Sequence, residues 1–490
     1  MSKLSDRKLH SSIEENRIIF EDLLGIGESF DVDYRTLVIL GTEIDIYFVT
    51  GLNDKKDVNI VLKELIELNE TDEDPDKIFS IIENRIVNQQ VQKVDNLEDA
   101  ITPILSGLIL IVVDGYKEAF VVDVRTYPGR NPEEPDTEKV VRGARDGYTE
   151  NIIINTGLTR RRIRDENLRF EMFRVSGRGR QDVALAYIKD IADPELVEVL
   201  RKKIKKISVD GLSMGEKSLE EFILDQKNNP FPLVRFTERP DVAAAHLFEG
   251  HVLIIVDTSP SVIITPTTYF HHVQHAEEYR QSPTIGTFVR WVRFLGIFVS
   301  IFLLPLWLLF VLNPELLPQS LFFIGPNEEG NIPITLQIIL ADIGVEFLRI
   351  AAIHTPTAVS TAMGLIAAIL IGEIAIKVGL FGPEIILYVA LSTMGAYATP
   401  SYELSFANKI ARLLLIILTA FMGVSGFVIG LTLYLLFLAN TKSLTTPYFW
   451  PFIPFNLKAL YNILFRVPVP LQKTRPSITH PQDLKRQDMK

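Results

Sequence analysis

The sequence predicts an α/β soluble N-terminal region of two similar subdomains, followed by an all-α polytopic membrane domain. Three observations carry this. Up to about Ser282, short apolar runs alternate with dense charge. From Phe294 to Ala439 the chain turns into long apolar stretches broken by Gly, Pro and a few acids, as a chain does when its solvent becomes lipid. Finally, one strand–turn–strand pattern occurs twice in the first part.

Composition limits the function classes. A charged fraction of 23% and a hydrophobic fraction of 47% average two unlike halves and describe neither. A net charge of -11 argues against a nucleic-acid partner, because no basic surface dominates. With no cysteine, disulfides and thiolate metal sites are excluded. The first 25 residues have no apolar segment after their basic residues, so no signal peptide is expected and the soluble part should stay in the cytoplasm.

Residues 9–24 and 57–69 have helical spacing of apolar positions, and Thr36–Gly41 and Ile44–Val49 read as strands joined by a short turn. Thr71–Asp76 is an acidic linker or helix start. Gly107–Asp114 (GLILIVVD) and Ala119–Val124, split by Gly115 and Tyr116, read as a hairpin. The pattern returns at Gly250–Asp257 (GHVLIIVD), a turn at 258–260 and Ser261–Thr265, and Asp99 and Asp241 precede the two glycines at similar distance. The choice is between an internal duplication and two ordinary buried hairpins. Ser176–Gly179 is a turn and Asp193–Ile207 a helix with a basic end. The expected division is a first subdomain over 1–126, a Pro-, Gly- and Arg-rich linker over 127–149, a second subdomain over 150–285, a transmembrane domain over 286–440 and a basic cytosolic tail over 441–490.

In the membrane half, Phe294–Leu312 follows Arg290 and Arg293 and spans with its start inside. Asn313–Asn331 lacks Lys and Arg and fits an outer loop. Ile334–Ile353 carries Asp342, Glu346 and Arg349 on one helical face, so it lies in the interface or packs that stripe against protein. Thr357–Val378 is rich in small residues, which permit close helix packing or leave room for a lumen. Thr357, Thr361, Gly364 and Ala368 share one side of it, and Glu373 and Lys377 stand four apart near its end, as a structural pair or a gate. Pro383–Pro400 and Ile410–Leu438 complete four expected crossings, with six shorter ones as the alternative. An even number is required because the tail from Thr441, with eight Lys or Arg against two Asp, belongs inside. Lys409 and Arg412 are hard to place in this scheme.

Phosphate-loop, nucleophile-elbow and zinc-protease patterns are all missing, so no enzyme activity, catalytic residue or cofactor is expected. His271, His272 and His275 would need Glu277 or Glu278 to hold a metal, and a solvated pre-membrane helix explains them better. Arg160–Arg164 (RRRIR) reads as a salt-bridged face against Asp165, Glu166 and Glu171 rather than a headgroup-binding run.

Taken together, Gly147–Glu150, Asn155, Arg160–Ile163, Asn229–Pro232, Thr237–Asp241, Glu249-Gly250 and Val256-Asp257, then Phe347–Arg349 and Ile371–Ala375, resemble the A subunits of GerA-type spore germination receptors. The resemblance covers nearly the whole chain. It implies a multi-pass protein of the spore inner membrane, with both termini on the core side, assembled with copies of itself into a ring, a pentamer, around a pore for monovalent cations. It implies other germination membrane proteins as partners, and the branch it most resembles amplifies cation release rather than sensing nutrients. On that reading Thr357, Thr361, Gly364, Ala368 and Ile371 line the lumen, and an apolar ring at Ile371 closes it by dewetting. Glu346, Arg349, Glu373 and Lys377 are the candidate charged gate or selectivity residues. The rival is a non-conducting scaffold that recruits other germination proteins. A secondary transporter is disfavoured by the few spans and the absence of a visible inverted repeat.

Overall fold

The computed structural model describes residues 7–71, 73–88, 90–126, 138–224, 226–326, 331–354, 364 and 370–487. Two compact units divide the chain. The first comprises residues 1–225, 234–266 and 469–490, and the second 226–233 and 267–468.

The first unit holds two α/β subdomains of identical topology. In the first, α1 (Ile13–Leu24), β1 (Val32–Ile39), β2 (Thr42–Val49), α2 (Lys55–Glu67), α3 (Ile78–Arg85), β3 (Val91–Val94), α4 (Leu97–Leu105), β4 (Ile109–Val113) and β5 (Ala119–Val122) form an antiparallel sheet of order β1-β2-β4-β5-β3. In the second, α5 (Ile152–Arg162), β6 (Leu168–Val175), β7 (Gln181–Ile188), α6 (Pro194–Lys205), α7 (Glu216–Ile223), β8 (Arg235–Thr237), α8 (Pro240–Phe248), β9 (Val252–Val256) and β10 (Val262–Thr265) form a sheet of order β6-β7-β9-β10-β8. Successive residues of β4 feed opposite layers. Leu110 and Val112 pack with α1 and α4, while Ile109, Ile111 and Val113 pack with α2 and α3. A strand covered on both faces must be apolar throughout, which is why this one reads as an unbroken run.

The duplication extends to hydrogen bonds. Asp114 Oδ1 accepts from the Ile13 amide at 3.0 Å, and Asp257 Oδ1 accepts from the Ile152 amide at 3.1 Å. The recurring Asp thus anchors the first helix of its own copy at the end rich in unpaired amides. One turn on, Asn16 brackets the His10 backbone, accepting at 2.9 Å and donating at 2.7 Å, and Asn155 brackets Thr149 at 2.7 and 2.6 Å.

Within the basic run on α5, Arg160 and Arg162 are salt-bridged to acids other than those expected. Arg160 is fully buried, reaching across to Asp31 of the first subdomain at 3.0 Å, and Arg162 pairs with Asp146. Glu171 is taken by Arg201 instead. The end of the chain is not a free tail. Arg475 donates to the Phe248 carbonyl, Arg486 pairs with Glu249 at 3.1 Å, and Gln482 donates to the Lys189 and Ala192 carbonyls. Its basic residues cap backbone and acids on the second subdomain. That docking site adjoins a buried edge-on pair, His246 and His251, and burial holds His251 down at about 4.

The second unit is helical. It contains α9 (Ala276–Arg280), α10 (Pro283–Leu312), α11 (Ile334–His354), a π-turn at Leu370–Ile374, α12 (Pro383–Tyr397), α13 (Tyr402–Asn440) and α14 (Leu457–Leu464). Among the described residues, α10 and α13 are long and apolar enough to cross a membrane. The His cluster does not form a solvated helix. His271 and His272 are buried in a 3-10 turn where the His271 ring accepts from the Thr268 amide, and no metal-binding group occurs among the described residues.

α13 is not one continuous helix. Gly423 has φ 57 and ψ -131, a conformation open essentially to glycine alone, and the chain reverses there. A methyl group at Gly426 would overlap the Leu418 carbonyl, and one at Gly430 would stand 2.8 Å from a Leu415 methyl. In a straight helix, residues 415 and 430 would be about 22 Å apart. The element is a hairpin of two antiparallel arms, with small residues where they touch. α11 is not an isolated interfacial helix either, since Ile338 and Ala341 sit in a core with Leu304, Trp307, Val389 and Ile416. Gly382 donates to Gln337 at 2.9 Å, so by residue 382 the chain has returned beside the start of α11. The described residues give five helical arms, α10, α11, α12 and the two of α13.

Candidate functional site: a buried charge cluster among α10 to α13

The helical unit places five ionisable groups in one apolar core. α11 supplies Asp342, Glu346 and Arg349 along one face. The first arm of α13 runs antiparallel to it and supplies Lys409 and Arg412, three apart. Arg412 donates to Asp342 Oδ1 at 2.6 Å, to the Ser300 carbonyl on α10 at 2.8 Å and to the Ser392 hydroxyl on α12. Lys409 Nζ lies 2.8 Å from Glu346 and 3.6 Å from Asp342. Arg349, one turn further on, stacks against the rings of Tyr402 and Phe406 at 4.4 and 4.6 Å, with Tyr397 behind. Antiparallel register brings 342 to 412, 346 to 409 and 349 to 406.

Asp342 and Arg412 are fully buried. Removing such charges from water costs several kcal/mol per ion, offset only by close pairing. The pairing is incomplete. Asp342 Oδ2, Glu346 Oε1 and Arg412 Nε have no hydrogen-bond partner among the described residues. Beside them is a cavity of about 10 Å³ lined by Glu346, Arg349, Thr393, Ser405, Lys409 and Arg412, room for one water. The cluster carries three cations against two carboxylates, so it can hold helices in register and polarise a water, but it does not suit a bare cation.

Of the residues singled out from the sequence, Glu346 and Arg349 enter this cluster, and Lys409 and Arg412, awkward in the sequence, are its other half. Glu373 and Lys377 form an exposed i, i+4 pair at 2.5 Å, apart from it. Thr357, Thr361 and Ala368 lie outside the described residues, as does the Ile371 side chain. Gly364 is exposed, with open space where a Cβ would stand.

The family model for the Bacillus/Clostridium GerA spore germination protein matches residues 20–478. The chain belongs to the GerA spore germination family. It is 58% identical to stage V sporulation protein AF of Bacillus subtilis (strain 168), over 98% of this chain and 97% of that one. It is 28% identical to spore germination protein KA of the same organism, over 94% of this chain and 86% of the relative. Among solved structures, it is similar to the N-terminal domain of the A subunit of the Bacillus megaterium spore germinant receptor GerK3, at 27% identity, 54% coverage of this chain, 97% of that chain and a TM-score of 0.43. This GerA-family chain therefore acts in spore germination, and its apolar helices associate it with a membrane.

Proposed function

We propose that the chain assembles with copies of itself into a pentameric ring in the spore inner membrane, both termini on the core side. The ring conducts monovalent cations out of the spore at germination, amplifying the response to nutrient receptors. It carries out no enzymatic step. Residues 357–378 line the lumen, with Thr357, Thr361, Gly364, Ala368 and Ile371 facing it. The observation that carries this reading is the buried charge cluster. Ionisable groups in an apolar bundle are costly and mark proteins that handle charge across the membrane. This one fixes α11, the helix leading directly into 357–378, against α10, α12 and α13. Glu346 is held by Lys409 inside the helical unit, whereas Glu373, paired with Lys377, is exposed and is the acid placed to attract cations at the lumen.

The chain has no cysteine, so single cysteines can be introduced one at a time. In the assembled protein, a water-soluble thiol reagent is expected to label Cys at 357, 361, 364, 368 and 371, and to spare 359, 363 and 366. Uniform protection along the segment would instead favour a non-conducting scaffold in which the small residues only pack helices.

A further inference from the structure

The stretch from Trp450 to Arg466 read as part of a cytosolic tail, and its surface is not that of a solvated segment. α14 turns its apolar side outward. Leu457, Tyr461 and Leu464, at i, i+4 and i+7, are 69%, 55% and 37% exposed, while Ile463 is buried. Phe452, Ile453 and Phe455 just before it are exposed too, the last 66%. A helix in water shows the reverse arrangement.

Two further observations indicate what covers this face. First, its backbone is satisfied by protein. The last carbonyls of a helix ordinarily face water. Here Arg290 donates to those of Asn462 and Ile463 at 2.8 and 2.9 Å, Trp291 Nε1 to that of Leu464 at 2.8 Å, and the Phe465 amide to that of Tyr461. Arg290 is in turn neutralised by Glu278, which Arg293 also contacts. A helix end so completed can leave water. Second, the face continues onto α10. Ile285, Phe288, Val292 and Leu295 form an exposed stripe on the first turns of that long apolar helix, and Trp291 packs edge-on against Phe465, which stacks on Tyr461. Trp and Tyr with an apolar body and a bonded polar end are the side chains enriched at the lipid–water boundary.

We propose that α14, the Phe452–Phe455 segment and the opening turns of α10 form one membrane-interface anchor. α14 lies in the plane of the bilayer beside the point where α10 enters it, with Leu457, Tyr461 and Leu464 in the headgroup–acyl boundary. The anchor fixes the depth at which α10 enters lipid. It is independent of whether the helices enclose a pore.

The test uses the full chain in phosphatidylcholine–phosphatidylglycerol nanodiscs, with an environment-sensitive fluorophore on Leu457→Cys, on Tyr461→Cys or on Glu98→Cys, an exposed position of α4. Labels at 457 and 461 are expected to emit blue-shifted and to be quenched severalfold more by shallow doxyl-lipid than by iodide, and the label at 98 the reverse. Iodide quenching at 457 and 461 equal to that at 98 would overturn the proposal. Protection from both quenchers would also overturn it, by placing a second protein surface there.

Discussion

Replacing Arg412 by leucine is expected to destabilise the helical unit by about 3 kcal/mol or more, the cost of leaving a buried carboxylate without its partner. Asp342 would keep only Lys409, at 3.6 Å, and the Ser300 carbonyl and Ser392 hydroxyl would lose their shared donor. Replacing Arg412 and Asp342 together by leucine removes both desolvation costs and should recover much of the loss. Thermal unfolding of the four proteins in nanodiscs forms a double-mutant cycle. A single variant as stable as the parent, or a double variant whose loss is the sum of the two singles, would mean that the pair does not hold α11 to α13.

The second large effect lies at the α13 hairpin. A short bifunctional thiol reagent should bridge Leu415→Cys and Gly430→Cys in the otherwise cysteine-free chain, because a Cβ at 430 meets the 415 side chain. A continuous helix would hold the two positions too far apart to bridge. Gly426→Leu should abolish the cross-link, since the new side chain collides with the Leu418 carbonyl and drives the arms apart, at a cost of about 1–3 kcal/mol or more. Efficient cross-linking in that variant, or none in the parent, would refute the hairpin.

These two features also show where sequence reading stopped. The duplicated hairpins were legible because a strand buried on both faces is a run of apolar residues bounded by Gly and Asp. β6 was not, because Arg169, Glu171 and Arg174 interrupt the apolar pattern, and the partners that absorb two of them, Glu28 for Arg169 and Arg201 for Glu171, lie about 30 residues or more away. β3 and β8 have four and three residues, too few to show a period. At Gly423 the sequence shows only one more small residue in an apolar run, and the reversal lives in its φ and ψ. The charge cluster was half visible. The stripe 342, 346, 349 was plain, as were the misplaced Lys409 and Arg412, yet only the antiparallel register of two distant helices pairs them. The docking of the basic tail was not legible, because it depends on Arg475 and Arg486 meeting a distant carbonyl and Glu249. In α14 the apolar residues were outweighed by the charge of their flanks.

The central claim, that this GerA-family chain conducts ions through residues 357–378, is tested most directly by planar-bilayer recording of the purified, assembled protein beside its Gly364→Leu variant. A Cβ at Gly364 meets nothing within 4 Å among the described residues, so leucine there is expected to leave the fold intact and to narrow a lumen shared between subunits. The account predicts cation current from the parent and a clearly reduced or altered conductance from the variant. A folded, oligomeric parent that carries no current, or two proteins with identical conductance, would contradict it.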